Sequence, residues 1–393
     1  MSQTLYDLPE GWEWKQLKDV AFSIRNTVEP LENYIYHYVG LENIQSNTGV
    51  LIDFMPTDGK DISSTKVAFK KDSVLFGKLR PYLNKVYVAE FDGIATTEII
   101  PFQCTNSLSP KFLAHYMRTG FFISWAMANC SGARMPRATS KFFDELAYVP
   151  LPPLAEQTRI VEKLDAVLSR IDTAIDELQQ SRVLVDAMFK SGLEGCFRLD
   201  GIKQVLLSDI ATVGRGVSKH RPRNDSSLFG GNYPFIQTGD VRNAQKYIKK
   251  YSASYSDKGL AQSKLWKKGT ICLTIAANIG DVAILDLDAC FPDSVVGIYS
   301  ETESNEYLYY FLSTLQSYLD LKANAAAQKN INLKILSEIE VPLPSLDRQQ
   351  EIVDYLNALN DKTTQLKTEI TAKIGMFNQL KASVLDGAFR GEV

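Results

Sequence analysis

A fifty-residue pattern occurs twice in this chain. Val149 to Arg198 reads VPLPPLAEQTRIVEKLDAVLSRIDTAIDELQQSRVLVDAMFKSGLEGCFR, and Val341 to Arg390 reads VPLPSLDRQQEIVDYLNALNDKTTQLKTEITAKIGMFNQLKASVLDGAFR. The copies stay in register at an offset of 192 without a gap: Val149 matches Val341, Gln157 matches Gln349, Leu164 matches Leu356, Ser191 matches Ser383, Gly195 matches Gly387 and Phe197 matches Phe389. A repeat of this length fixes the architecture before any local propensity is weighed.

Each copy opens on prolines, which cannot lie inside a helix or a central strand. A long helical pattern follows. In the first copy Ile160, Leu164, Val167, Ile171, Ala174, Leu178, Ser181, Val185 and Met188 alternate in steps of four and three. In the second the series is Ile352, Leu356, Leu359, Thr363, Leu366, Ile370, Lys373, Phe377 and Leu380. A period of 3.5 is the coiled-coil pattern. About 40 helical residues make a rod of roughly 60 Å. One such helix cannot hide its own apolar stripe. Each is preceded by a globular segment, so the simplest arrangement packs the two on each other, antiparallel. Two separate cores would leave the matched length and register unexplained. The polar breaks at Ser181, Thr363 and Lys373 are candidate contacts with another protein.

The repeat begins before the rods. Asp19–Val20–Ala21, after a turn at Pro9–Gly11, matches Asp209–Ile210–Ala211. The full unit is therefore a short lead-in, a variable domain, VPLP, a long helix and FR. Between these ends the two halves have diverged. In the first variable domain, Tyr34–Val39, Val74–Phe76 and Val86–Ala89 read as strands, Leu108–Met127 as a helix and Ser131–Lys141 as a loop. In the second, Phe235–Ile236, Thr270–Ile275 and Asp281–Leu285 read as strands and Asn305–Leu321 as a helix; Ala325–Leu333 stands where Ser131–Lys141 stood. Strands and helices without βαβ alternation predict an α+β domain.

A chain of 393 residues has room for two such domains and their helices. No apolar run approaches membrane-spanning length, and MSQTLYDLPEGWEW is not a signal peptide. Cys104, Cys130, Cys196, Cys272 and Cys290 form no CxxC pair, so neither zinc nor a disulfide framework is expected, and a reducing cytoplasm fits. No G-x-G-x-x-G or Walker lysine loop signals a dinucleotide or NTP site. His37, His115 and His220 lie far apart, with no ligand at metal spacing. Pro292–Asp293 with Asp320–Leu321–Lys322 faintly resembles a nuclease carboxylate–lysine set, but Leu319 and Leu321 end a helical pattern, which predicts a structural role.

The formal net charge of −3 conceals strong clustering. Between Lys203 and Lys268, thirteen Lys or Arg face four Asp; between Lys60 and Lys85, seven face two. The long helices are balanced. Positive charge thus gathers in the variable domains, beside Asn, Gln, Ser and Thr. That suits a duplex reader: cations hold phosphates, while Arg, Asn and Gln bond base edges. Solvated surface charge is the plain alternative for any single residue.

At this point the chain resembles the DNA-specificity subunit of type I restriction–modification systems. The likeness rests on LPEGWEWKQL, VLFGKLRPYLNKV (Val74–Val86), SKHRPR (Ser218–Arg223), YPFIQTGDV (Tyr233–Val241), ICLTIAANIGDVAIL (Ile271–Leu285) and, most strongly, the paired VPLP helices ending GCFR and GAFR. It covers nearly the whole chain. It implies an α+β protein with an internal pseudo-twofold repeat: two target-recognition domains of mixed sheet and helix, joined by two long helices forming an antiparallel coiled coil. The expected limits are 1–148 and 199–340 for the domains, 149–198 and 341–393 for the helices. Each domain would read one half of a bipartite double-stranded DNA site. The helices would measure the spacer and dock two modification subunits, which carry S-adenosylmethionine. Motor–nuclease restriction subunits would supply ATP- and Mg-dependent cutting. No cofactor, metal, membrane contact or catalysis is expected of this chain. The rival readings are a stand-alone DNA-modifying enzyme and a coiled-coil adaptor without DNA.

The resemblance and the charge clusters together nominate DNA-binding residues. In the first domain these are Lys78, Arg80, Arg134, Arg137 and Lys141. In the second they are Arg215, Lys219, His220, Arg221, Arg223, Gln237, Thr238 and Lys329.

Overall fold

A computed structural model of the chain describes residues 4–198, 201–276, 278–324 and 331–392. Two helices dominate it, Leu154–Cys196 and Leu346–Ala388, each of 43 residues. Both ends of the second lie 192 residues beyond those of the first, as the repeat requires. The prolines fall just outside. Pro150 stands opposite Trp14 in a two-stranded antiparallel ladder between Glu13–Gln16 and Tyr148–Leu151. The second unit repeats this between Gln204–Leu206 and Glu340–Pro342. VPLP is therefore a short strand on the lead-in, where a proline's missing N–H costs no ladder bond.

The helices pack against each other, antiparallel. Asp172 pairs with Lys381 at 2.5 Å, and Asp186 with Lys367 at 3.0 Å. Going from 172 to 186 up one helix thus corresponds to going from 381 to 367 down the other. The buried stripe departs in detail from the strict 3.5 pattern. Met188, Leu366, Lys373 and Leu380 are exposed; Phe189, Lys367, Ile374 and Lys381, one residue further on, are the more covered. The cause is the drift of about 20° per heptad between a 3.6-residue helix and a 3.5-residue repeat. Thr363, marked as a break, is only 1% exposed and sits in the seam.

The chain divides into two compact units, Met1–Ser181 with Glu369–Val393, and Arg182–Thr368. The first has a sheet ordered Ala21–Ser23, Ile99–Cys104, Val74–Gly77, Val86–Val88. A second sheet runs Thr27–Val28, Lys66–Phe69, Gly93–Ala95, Tyr38–Val39. The second unit's main sheet runs Thr212–Arg215, Val295–Tyr299, Ile271–Thr274, Val282–Leu285, Tyr247–Ile248. Its first four strands follow the same connectivity as the first unit's first sheet, so the diverged middles retain one framework. In each unit the domain core continues into the helix roots. Leu164, Leu168, Leu385 and Phe389 join one core. Leu193, Ile352, Val353 and Leu356 join the other.

Two expected helices are broken. Leu108–Met127 is Pro110–Met117 followed by Gly120–Ala128, because the Thr119 hydroxyl accepts the Phe122 N–H and caps a new start. Asn305–Leu321 is Asn305–Ser313 followed by Gln316–Asn324. The expected strand Tyr34–Val39 is split: Ile35–Tyr36 and Tyr38–Val39 pair in different sheets.

Candidate nucleic-acid interface

In the first unit the fold brings two distant basic stretches together. Strands Val74–Gly77 and Val86–Val88 are joined by a hairpin that carries Lys78 and Arg80. Arg80 and Asn84, both left-handed, flank its turn at Pro81–Leu83. The Arg80 N–H donates to Pro136 O at 2.7 Å and the Ala138 N–H to Lys78 O at 2.9 Å, lacing the hairpin to the loop that holds Arg134 and Arg137. The cations on this lip are not equivalent. Arg137 Nε lies 3.0 Å from both oxygens of Glu98, so its charge is neutralised within the domain. Lys141 stands 3.9 Å from Glu145 with both side chains in water, a weak pair. Arg80 Nε is buried without a partner. Arg134 is exposed and Lys78 half-buried.

The second unit shows the same lacing. The Ile331 N–H donates to Ile275 O at 3.3 Å, and Arg215 Nη2 donates to Ile331 O at 3.4 Å. Arg215 is thereby set near Ile275, at the end of strand Ile271–Thr274. Lys329 lies outside the described residues. The loop Ser218–Asp225 folds on itself. His220 N–H donates to Gln262 at 2.9 Å and His220 Nε2 lies 2.9 Å from Asp225. Hydrogen bonds from Ser227, with help from His220 and Lys258, hold the Asp225 carboxyl well below the usual range. Arg221 donates to the carbonyls of Ser218 and His220, both at 2.8 Å, and so staples the loop. Arg223 pairs with Asp293 at 2.7 Å, which gives the nuclease-like Pro292–Asp293 a structural role. Lys219 is exposed. Gln237 precedes helix Thr238–Asn243 in a capping box with Asp240: its N–H donates to the Asp240 carboxylate at 2.8 Å and its side chain turns back to the Asp240 N–H, while the residue as a whole is exposed beside Thr238.

Sequence reasoning missed Arg242. Its Nη1 donates to Asn278 Oδ1 at 2.8 Å, which aims an exposed guanidinium without neutralising it. Asn278, at φ 63°, lies on the hairpin equivalent to the one bearing Arg80. The available signal was position: Arg242 directly follows YPFIQTGDV, and Asn278 lies inside ICLTIAANIGDVAIL.

Both domains are clamped to the long helices by the same two devices. Gln157, fully buried, accepts the Ser109 N–H at 2.8 Å and donates to Ser107 O at 2.8 Å and Pro152 O at 2.9 Å. Gln349 accepts the Ser304 N–H at 3.1 Å and donates to Pro344 O at 3.1 Å and Glu303 at 2.7 Å. Ser109 and Ser304 each begin a domain helix, so one repeated amide holds both helix starts. The repeated FR supplies the other device. Phe389 packs on Phe112 and Tyr116, with centroids at 5.0 and 5.3 Å; Phe197 packs on Tyr307 and Phe311 at 5.2 and 5.5 Å. Each domain is thus gripped by the start of one long helix and the end of the other. Among the described residues no group of His, Cys, Asp and Glu could hold a metal ion, and no helix is long and apolar enough to cross a membrane.

Two diverged domains sit on a repeated helical clamp, with Lys78 and Arg80 on the hairpin of the first and Arg215 and Arg242 beside the equivalent connection of the second, the duplicated plan of a nucleic-acid reader. The sequence profile of the type I restriction modification DNA specificity domain matches residues 9–180 and again 200–376, and this chain belongs to that family. It is 27% identical over 197 residues to the EcoDI specificity subunit of Escherichia coli, covering 50% of this chain and 44% of that protein. It is 26% identical over 305 residues to the EcoBI specificity subunit of Escherichia coli, covering 69% and 64%. These alignments span less than two thirds of either relative. A solved chain from work on complex assembly and conformational transition of the type I R-M system has the same fold, with TM-score 0.84 and 23% identity over 99% of this chain and 100% of that one.

Proposed function

We propose that this chain is the sequence-reading subunit of a type I restriction–modification complex. One domain reads each half of a bipartite, asymmetric duplex site. The paired helices set the length of the unread spacer. Two modification subunits and, through them, the restriction subunits assemble on it in the cytoplasm. Methyl transfer from S-adenosylmethionine and ATP- and Mg-dependent cutting belong to those partners, and this chain is non-catalytic. The readers fall within residues 1–148 and 199–340, and the spacer helices within 149–198 and 341–393.

The observation that carries this reading is that each domain is seated by parts of both long helices. A change in helix length would therefore move one reader along the duplex without touching either reading surface. A helix of 43 residues is about 64 Å long. Two readers on one face of B-DNA need about 34 Å or a multiple of it. Of the nominated residues, Lys78, Arg80, Arg134, Arg215, Lys219 and Arg221 have no carboxylate pair among the described residues; the Arg215 and Arg221 side chains donate to backbone carbonyls, so Lys78, Arg80, Arg134 and Lys219 are the first to be assigned to DNA.

The test uses a duplex carrying the methylated motif of the source genome. Binding by the full chain should fall steeply with salt. Lys219→Gln should weaken cognate and non-cognate duplexes alike and lower the salt slope by about 0.9, one phosphate contact. Equal affinity for duplexes with and without the motif, or methylation and cutting by this chain alone, would overturn the proposal.

A further inference from the structure

Beyond the shared glutamine, each unit carries a second contact between domain helix and long helix, and here the two units differ. The contact falls at repeat-equivalent positions on both partners. On the long helices these are Asp165 and Asn357, 192 apart. On the domain helices they are the second and sixth residues after the capping serine: Lys111 and His115 in the first unit, Glu306 and Tyr310 in the second.

In the first unit the long helix supplies an anion. Asp165 meets Lys111 Nζ at 3.0 Å and His115 Nε2 at 2.8 Å. The other ring nitrogen of His115 lies 2.6 Å from Arg118 Nη2. A guanidinium only donates, so Nδ1 accepts and Nε2 carries the hydrogen given to Asp165. In the second unit the long helix supplies a neutral amide. Asn357 Oδ1 accepts from Tyr310 at 2.7 Å and from Lys246 at 2.6 Å, while its Nδ2 faces Glu306 at 3.4 Å. Lys246, whose side chain is 12% exposed, pairs with Glu306 at 2.7 Å and lies 4.7 Å from the Tyr310 ring centroid. The Tyr247 hydroxyl donates to the same carboxylate.

These contacts do not interchange. A carboxylate at 357 would stand against Glu306, where the amide N–H now points, and one lysine would face two anions. An amide at 165 would take the counter-charge from Lys111 and remove the anion that favours the buried, charged Arg118. We infer that Asp165 and Asn357 are positioning residues that key each reader domain to its own long helix and thereby fix the turn of that reader about the spacer. The inference rests on the spacer-measuring role proposed above. The glutamine and the phenylalanine recur in both units of this chain and so do not tell one domain from the other; the second contact matches one domain to one seat. The orientation of an asymmetric site is then built into helix residues that touch no DNA.

The test reads spacer length, which a merely structural contact would not move. The full chain is presented with duplexes randomised over both half-sites and the spacer, and the bound fraction is sequenced. Wild type should enrich two half-sites at one spacing. Asn357→Asp should enrich the same half-site bases over several spacings, with affinity at the original spacing down about tenfold. Glu306→Gln added to Asn357→Asp removes the repulsion, leaves Lys246 one carboxylate, and should restore the single spacing. Tyr310→Phe deletes one oxygen and keeps the ring. It should broaden the spacing more weakly, and it serves if Asn357→Asp does not fold. A single unchanged spacing in both Asn357→Asp and Tyr310→Phe, or in Tyr310→Phe alone when Asn357→Asp does not fold, overturns the key, as does broadening that Glu306→Gln does not reverse. If wild type enriches no paired half-sites, the spacer-measuring role itself falls, and the key with it.

Discussion

Replacing Gln157 by methionine isolates the amide clamp. Methionine keeps nearly the same length and volume but offers no N–H or C=O. Gln157 is 0% exposed, so the Ser109 N–H and the Ser107 and Pro152 carbonyls would lose their partners with little access to water. At about 1 kcal/mol for each bond, Gln157→Met should destabilise the first unit by about 3 kcal/mol. With a urea slope near 3 kcal/mol per M for a unit of this size, the midpoint should fall by about 1 M. Tryptophan fluorescence separates the units, since Trp12, Trp14 and Trp125 lie in the first and Trp266 in the second. Gln349→Met should lower the Trp266 transition by less, about 2 kcal/mol, because its backbone bonds are longer, at 3.1 Å, and Glu303 can turn to water. The effects should add in the double variant, since the two amides share no partner. A midpoint shift below about 0.3 M for Gln157→Met would refute the reasoning.

Two other outcomes are expected. Phe389, 1% exposed between Phe112 and Tyr116, should cost the first unit about 3 to 5 kcal/mol when cut to alanine, read by the same fluorescence; a larger loss in the second unit would contradict the assignment. Burial pushes the His115 pKa below 6.5, with Arg118 and Lys111 adding to this and Asp165 opposing it. The unfolded chain then binds the proton more tightly, so stability is full above about pH 6.5 and falls as the pH drops below it. Asp165, held at about 2 against 3.8 chiefly by its His115 bond, adds a second loss as the pH falls through that lower window. The first unit's urea midpoint should therefore decline from about pH 7 to about pH 5, and His115→Gln should flatten that decline. An equal slope in the variant would remove His115 from the account.

The fold was legible where the sequence repeats. Gln157 and Gln349, Phe197 and Phe389, and the ends of both long helices stand in register because each pair does one job twice. The helix breaks were not legible, since Phe112, Phe122 and Trp125 follow one apolar rhythm and only the Thr119 hydroxyl marks the interruption. The basic clusters were visible as charge but not as pairing. Arg137 meets Glu98 and Arg223 meets Asp293 across 39 and 70 residues, and a count along the chain cannot see such partners. Lys246 was passed over for the opposite reason: a lysine within a basic run reads as solvated, yet this one is enclosed by Glu306, Asn357 and three tyrosine rings.

The two units also differ in how the chain closes them. Arg182–Thr368 is one continuous stretch, whereas the first unit needs Glu369 and the residues after it. On a ribosome, which delivers residues in order, the half begun first is therefore sealed last. A frameshift just beyond Thr368 would release a molecule whose later half is finished and whose earlier half still bares the seat of Phe389. Such damage, late in the message, would be felt at the beginning of the protein.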